Sequence, residues 1–276
     1  LSGEGADELF GGYGRIFRSA HDYNRFHKNG FDNLNSDFKK NLLNKYSMND
    51  FNSEIDFFIS QYSYINSTMK KNLFTTDYSE QLQNNLFNKN FFENEWSNLS
   101  NLELHEKFIY IFQKIHLQGL LGRLDCSTMS SSVEGRVPFT DHRLIEYVNK
   151  LPLKYKLRFD TKFGKIIESL NSDQISEKYD VTKYTLRKIY KNKLPDSIIK
   201  RLKVGFPVPL SQWLIESKAE ITDKLFSSNS KTKDIFDQSF LKEVINNKKN
   251  NKNVGLLIWM TLNVEEWMNL YDLSAG

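Results

Sequence analysis

The sequence opens on LSGEGADELFGGY, where Glu4, Asp7 and Glu8 share thirteen positions with four of the chain's 13 glycines. Carboxylates in a glycine-flanked turn could hold a divalent cation or carry protons, because glycine lets a ligand approach main chain that a side chain would otherwise shield. The same residues also suit the start of a helix. Ser2 or an acidic side chain would cap free N–H groups, and the carboxylates would sit at the positive end of the helix dipole. On this stretch alone both readings stand.

Other chemistry is sparse. The five histidines form no HxxxH or HExxH pair, so a protein-only transition-metal site has no visible ligands. Any metal is expected to be Mg²⁺ on carboxylates. The single cysteine, Cys126, excludes an internal disulfide framework, suits a reducing, cytoplasmic compartment, and is expected to be a small buried thiol, with no histidine close in sequence to activate it. Lys and Arg number 38 against 34 Asp and Glu, a net +4 that does not by itself imply nucleic acid. The basic run NNKKNNKN (246–253) has no interleaved aromatics to stack bases and reads as a solvated loop. The apolar run VGLLIWMTL (254–262) is far short of the roughly 20 residues a membrane span needs, and Glu265 and Glu266 follow it.

The elements that must position these residues read as mainly helical. With 276 residues, 39% of them apolar, the chain can bury a core for one large domain or two small ones. Leu9, Phe10, Tyr13, Ile16 and Phe17 recur at helical spacing, so one helix is expected to leave the glycine turn, with the turn at its N-terminus where oriented N–H groups can hold phosphate. A turn of this kind usually follows a strand, and Leu1 is read as the stump of one lying upstream. Residues 28–100 read as helical packing, as in EIDFFISQYSYI (54–65). LHEKFIYIFQKIHLQGLLGRL (104–124) reads as a buried helix or a pair of them. A Ser/Thr/Gly-rich loop follows, broken at Pro138, with Asp141 as the N-cap of a helix that ends before Pro152. An amphipathic helix is expected over 182–195, a short basic helix from about 198, another helix from about 210 with Trp213 on its apolar face, and a last helix over roughly 253–272.

Four of these segments, in order, resemble the C-terminal synthetase domain of the glutamine-dependent asparagine synthetases: LSGEGADELFGGY (1–13), LLGRLDCSTMSSSVEGRVPFTDHRLIEYVNKLP (120–152), KYTLRKIYKNKLPDSIIKR (183–201) and KVGFPVPLSQWL (203–214). The resemblance implies an α/β parent fold of the ATP-pyrophosphatase (adenine-nucleotide alpha-hydrolase-like) type, of which residues 1–276 would be the mainly α-helical C-terminal portion. It implies that ATP adenylates an aspartate side chain, pyrophosphate leaves, and ammonia derived from glutamine attacks the acyl-adenylate to give asparagine. In that scheme Asp7 is the Mg²⁺-pyrophosphate ligand, Gly3 and Gly5 belong to the nucleotide-binding turn, and Glu4 sits beside the acyl-adenylate to take a proton from ammonia. Lys203 contacts the phosphates, with Arg201 a possible added charge. Asp125, Ser132, Glu134 and Arg136 match polar positions of the family's central signature, and Asp125, Glu134 and Arg136 are expected to support the site through buried ion pairs.

The match departs from the family in places. Position 126 is Cys where the family usually has Arg, which removes a fixed charge beside Asp125, and position 140 is Thr where it usually has Leu. Neither the SGGxDS phosphate loop nor the N-terminal glutaminase domain occurs in these residues, so the full reaction is expected to need an upstream region. Three readings follow. The chain is part of an asparagine synthetase that forms a homodimer, with no nucleic-acid or membrane partner. Alternatively it is a non-catalytic half that completes another chain's sheet near Leu1. In the third, it belongs to a relative that amidates or cyclises a different carboxylate.

Overall fold

The structure is a computed structural model that describes residues 1–46, 51, 53–65, 67–81, 86–159, 166–201, 208–246 and 252–274. The chain divides into two units, Leu1–Phe58 with Phe92–Lys203, and Ile59–Phe91 with Val204–Gly276. As expected, helices dominate. Among the described residues the one sheet is a pair of two-residue antiparallel strands, Arg158–Phe159 and Asp180–Val181, in register Arg158 to Val181 and Phe159 to Asp180. No helix among them is long and apolar enough to cross a membrane.

The first unit is built on aromatic packing. The helix expected to run unbroken from Asp7 is instead two, Ala6–Phe10 and Gly14–Asn29. The break comes at Gly11, which takes a left-handed conformation (φ 71) and turns the chain, with the Gly12 N–H returning to the Asp7 carbonyl at 2.7 Å. On the second helix Phe17, Ala20, Tyr23 and Phe26 fall at three-residue steps and are all buried. Phe17 meets Phe112 edge-on at 5.3 Å, and Tyr23 meets Phe57 at 5.1 Å. The helix is tied down by Asp22, whose buried carboxylate accepts from Tyr46 Oη at 2.7 Å, Ser172 Oγ at 2.7 Å and Ser172 N at 2.9 Å. It is also fixed by Arg18, which donates Nε to Asp180 at 2.9 Å beside the small sheet.

The long apolar stretch after Glu103 is a pair of helices, Leu104–Ile111 and Leu117–Met129, joined by a π-helical turn, Phe112–His116. A capping box between Glu103 and Glu106 starts it. The first helix is buried through Leu104, Phe108, Ile109 and Ile111, as expected. The second is not. After Leu117 its residues are half-buried or exposed, and Cys126, read as a buried thiol, is exposed. A π turn takes more residues per turn than an α-helix, so the residues beyond it are rotated out of phase with the stripe that packs the core.

The second unit centres on Leu225, Leu241 and Leu257, all fully buried, with Ile221, Ile235, Phe236 and Met268. A single bridge between Phe74 and Phe236 aligns the chain, with the Asp237 N–H reaching the Leu73 carbonyl at 2.8 Å. The helices expected here form as Leu210–Glu216 and Lys252–Leu270. Trp213 does not lie on a buried face: it is half exposed, while its neighbour Leu214 packs toward the core. Consecutive helical residues point about 100° apart, so one stripe cannot take both. Most of the 246–253 run lies outside the described residues.

Candidate active site

The Ala6–Phe10 helix buries Leu9 and Phe10 in a cluster with Val148, flanked by Phe139, Leu144, Ile145, Leu151 and Leu186. Burying side chains of this size contributes roughly 1.5–3 kcal/mol each. The packing fixes the SGEGAD turn between two other segments, the PFT stretch at 138–140 and the helix Tyr184–Tyr190. Backbone bonds complete the attachment. Ser2 N donates to the Arg136 carbonyl at 2.8 Å, and Lys183 N donates to the Phe10 carbonyl at 3.1 Å. Gly5, at φ 90, is pressed against the PFT stretch, where a Cβ would come within 3.1 Å of Thr140 Cγ2. Glycine is required there both for the positive φ and for the approach.

Asp7 lies in the first turn of this helix with its carboxylate against the following loop. A Cβ at Gly12 would fall 1.7 Å from Asp7 Oδ1, so the loop must be bare at this point for the carboxylate to stand where it does. Lys183 Nζ is 3.0 Å from the same oxygen, and the two side chains are 25% and 29% exposed for Asp7 and Lys183. Lys183 reaches Asp7 from a left-handed backbone (φ 54) at the N-cap of the Tyr184–Tyr190 helix. The expectation that this turn offers phosphate a helix terminus is weakened, because Ala6–Phe10 is only five residues long and its aligned dipole is correspondingly small.

Glu4 and Glu8 have different settings. Glu4 Oε1 is 3.4 Å from Arg123 Nη2, and its side chain is a quarter exposed. Its other oxygen, Oε2, has no hydrogen-bond partner among the described residues. Glu8 is buried and accepts from Tyr13 Oη at 2.6 Å, which agrees with a packing role. Burial, then the hydrogen bond to Glu8, pushes the Tyr13 hydroxyl far above its ordinary range, so it acts as a fixed donor.

The remaining expected residues are less closely drawn in. Gly3 contributes its carbonyl to Ala6 N at 3.2 Å. Glu134 and Arg136 do pair, at 2.9 Å, but at 68% and 71% exposure the pair is not buried, and water screens it. Its support of the site runs through the Arg136 carbonyl instead. Asp125 makes no ion pair among the described residues, consistent with Cys126 standing where an arginine was expected. Ser132 takes a left-handed turn (φ 55) just beyond the Leu117–Met129 helix. Asp141 caps the His142–Asn149 helix as expected, accepting from Arg143 N at 2.9 Å, and the Arg143 side chain holds its carboxyl well below the usual range. The carbonyl of Arg201 accepts from Arg187 Nη2 at 3.1 Å. Lys203 lies outside the described residues.

Lys183 and Arg123 are the two cations that sequence reasoning missed. Both stand in segments that carried the resemblance, so their place in those motifs was the available signal.

A family model described as asparagine synthase matches residues 1–269. This chain belongs to the asparagine synthase family. Asparagine synthetase (glutamine-hydrolysing) 1 of Bacillus subtilis strain 168 is 26% identical over 296 aligned residues, which cover 99% of this chain and 42% of that protein. Asparagine synthetase (glutamine-hydrolysing) 3 of the same organism is 32% identical over 101 residues, 37% of this chain and 13% of that protein. The chain thus spans less than half the length of the curated relatives it matches. No solved structure matches it. Within the asparagine synthase family match fall the SGEGAD turn, Arg123, the PFT stretch and Lys183 alike.

Proposed function

We propose that this chain forms one wall of an ATP-dependent ligase site that amidates aspartate to asparagine through a β-aspartyl-AMP intermediate, releasing AMP and pyrophosphate. The observation that supports it best is the folding of the SGEGAD turn against the Arg136–Thr140 segment, with Asp7 facing a lysine at 3.0 Å. In this reading the chain is the C-terminal portion of a synthetase domain with an α/β parent fold, in a cytoplasmic protein that forms a homodimer. The phosphate loop and the glutaminase that releases ammonia from glutamine lie on residues beyond these.

Asp7 and Lys183 suit Mg²⁺-pyrophosphate. Among the described residues no three His, Cys, Asp or Glu side chains converge as a metal cage. A single carboxylate is the donor set expected for Mg²⁺ that brings phosphate and water oxygens with it. Asp7 would hold that metal, which when bound neutralises charge on the leaving pyrophosphate. Lys183 adds a cation from the protein side, and Lys203 is assigned the phosphate contact that stabilises adenylation. Gly3, with open space where a Cβ would stand, leaves the turn bare for nucleotide, and Gly5 seats the turn against Phe139 and Thr140.

Glu4 is assigned the proton from attacking ammonia. Arg123 approaches one carboxylate oxygen, which leaves the second for the transfer. Glu134 and Arg136 shape the segment that carries the Ser2 contact, and Asp125 is assigned a supporting role from its place in the family's central signature.

The test is aspartate-dependent pyrophosphate release from ATP by the full-length protein, with glutamine or ammonium as nitrogen donor. Release with aspartate, and not with glutamate or other carboxylates, is the expected result. Release with a different carboxylate would move the chain to a relative of other specificity, and none with any would remove the enzyme reading.

A further inference from the structure

The two ends of the Asp7–Lys183 contact are held with unequal firmness. Asp7 is fixed: its helix is packed on both sides and its carboxylate lies against Gly12. Lys183 has a fixed backbone and a long side chain. Its N–H is bonded to the Phe10 carbonyl at 3.1 Å, its carbonyl accepts from Arg187 N at 3.0 Å, and the next residue, Tyr184, donates to the Lys156 carbonyl at 3.0 Å. Beyond that anchored Cα run four rotatable bonds to an ammonium in a partly open setting. The left-handed conformation would suit glycine, yet a lysine occupies it.

An ammonium 3.0 Å from the carboxylate changes what that carboxylate can bind. A bare divalent cation must displace the ammonium and then lie beside it, with like charges repelling. A divalent cation on a diphosphate arrives with negative charge to which the ammonium can turn, so the same displacement costs much less. We infer that Lys183 competes with divalent metal for Asp7, that a diphosphate relieves the competition by offering the ammonium another partner, and that the site therefore selects a metal–diphosphate complex over free metal. The inference rests on Asp7 being the metal-diphosphate ligand proposed above.

The test measures Mn²⁺ as a stand-in for Mg²⁺, counting the free aquo ion by electron paramagnetic resonance over the full-length protein, with and without pyrophosphate. Two variants remove the ammonium. Lys183→Gly suits the left-handed backbone and keeps the fold; Lys183→Met keeps the side-chain stem. Both should bind Mn²⁺ alone about fivefold more tightly than the unaltered chain, the factor expected for loss of a weak ion pair, and both should lose most of the gain that pyrophosphate gives. A merely structural lysine would not tighten metal binding when removed. Unchanged or weaker binding of Mn²⁺ alone in both variants would overturn the competition, while Asp7→Asn separates this from the site reading. If Asp7→Asn abolishes Mn²⁺-pyrophosphate binding and the Lys183 variants do not tighten Mn²⁺ alone, only the competition fails. If the unaltered full-length protein shows no Asp7-dependent binding, the site assignment falls and the inference with it.

Discussion

Asp7 in the first unit and Glu265 in the second are both carboxylates on helices, and they are treated in opposite ways. Glu265 is 2% exposed and accepts from Ser230 Oγ at 2.9 Å, Lys231 N at 3.0 Å, Thr232 N at 3.0 Å, Thr232 Oγ1 at 2.7 Å and Asn269 Nδ2 at 2.9 Å. Main-chain and short side-chain donors meet its lone pairs, and the two N–H groups of Lys231 and Thr232 cannot leave without unfolding the loop at 230–232. Asp7 keeps a quarter of its surface open and faces an ammonium on a long stem. Buried carboxylates held by main-chain donors hold structure; a partly open carboxylate that faces a long, movable side chain stays available for chemistry. Asp22 belongs with Glu265 by the same criterion.

Breaking the rigid case should give the largest effect. Glu265→Ala leaves buried donors at Ser230, Lys231 and Thr232 without their acceptor, and should cost the second unit about 3–5 kcal/mol, read as a fall in its unfolding midpoint in urea. A milder probe is pH. Burial pushes the Glu265 carboxyl up, but the hydrogen bonds from Thr232, Lys231 N, Ser230 and Asn269 outweigh it and leave it below its ordinary value. A depressed folded-state value means stability that is present above the unfolded glutamate range, near 4.3, and lost as pH falls through the folded value. Acidification should therefore weaken the second unit, and Glu265→Gln should flatten that acid slope in pH-dependent urea melts.

Next in size is Gly12→Ala. A methyl there overlaps Asp7 Oδ1, so either the loop or the carboxylate must move, at a cost of about 1–3 kcal/mol. The comparison is sharpened by what moves: loss of Mn²⁺-pyrophosphate binding alongside the stability loss would show that the loop sets the position of Asp7. Retained binding would show that the carboxylate finds its place without Gly12. Asp7→Asn should cost less than about 1 kcal/mol in thermal melts, because its partner is partly solvated, while removing metal-diphosphate binding.

How far these roles were legible in the sequence depends on what fixes them. The SGEGAD turn could be singled out because carboxylates and glycines are dense there, whereas its link to the segment around Arg136 came from the family resemblance and not from local spacing. Lys183 could not be singled out, since it stands in a lysine-rich segment and its choice depends on a left-handed backbone at 183 and a bond to the distant Phe10 carbonyl. Glu265 reads in sequence only as the end of an apolar run. Its neighbour Glu266 has the same composition around it and yet pairs with Lys224 on the surface. The difference is made by the loop at 230–232, which only the tertiary fold brings in. Periodicity likewise gave the helix up to Leu124 and the one at Trp213 but not their exposure, and it read Cys126 into the following loop, where the helix in fact runs on to Met129; the π turn at 112–116 shifts the phase, and a helix reveals its covered face only once its neighbours are placed. Glu134 and Arg136 were recognised as partners, though not as an exposed pair.

Glu4 should show the smallest effect on stability and the most selective one on chemistry. Its contact to Arg123 is long, at 3.4 Å, and Arg123 is largely exposed, so Glu4→Ala should stay within about 0.5 kcal/mol of the parent in a thermal melt. If Glu4 is the base that takes ammonia's proton, the full-length variant should still form the acyl-adenylate, seen as aspartate-dependent pyrophosphate release, and should fall much further in asparagine formation. Asp7→Asn and Lys203→Ala should instead depress pyrophosphate release itself, because their charges act on the leaving phosphates. Arg123→Ala offers the finer division: an orienting arginine should lower asparagine formation while leaving pyrophosphate release near the parent, as Glu4→Ala does but to a lesser degree. Equal loss of both steps in Glu4→Ala would assign Glu4 to the nucleotide instead of to ammonia, and would place it with Asp7 as part of the phosphate wall.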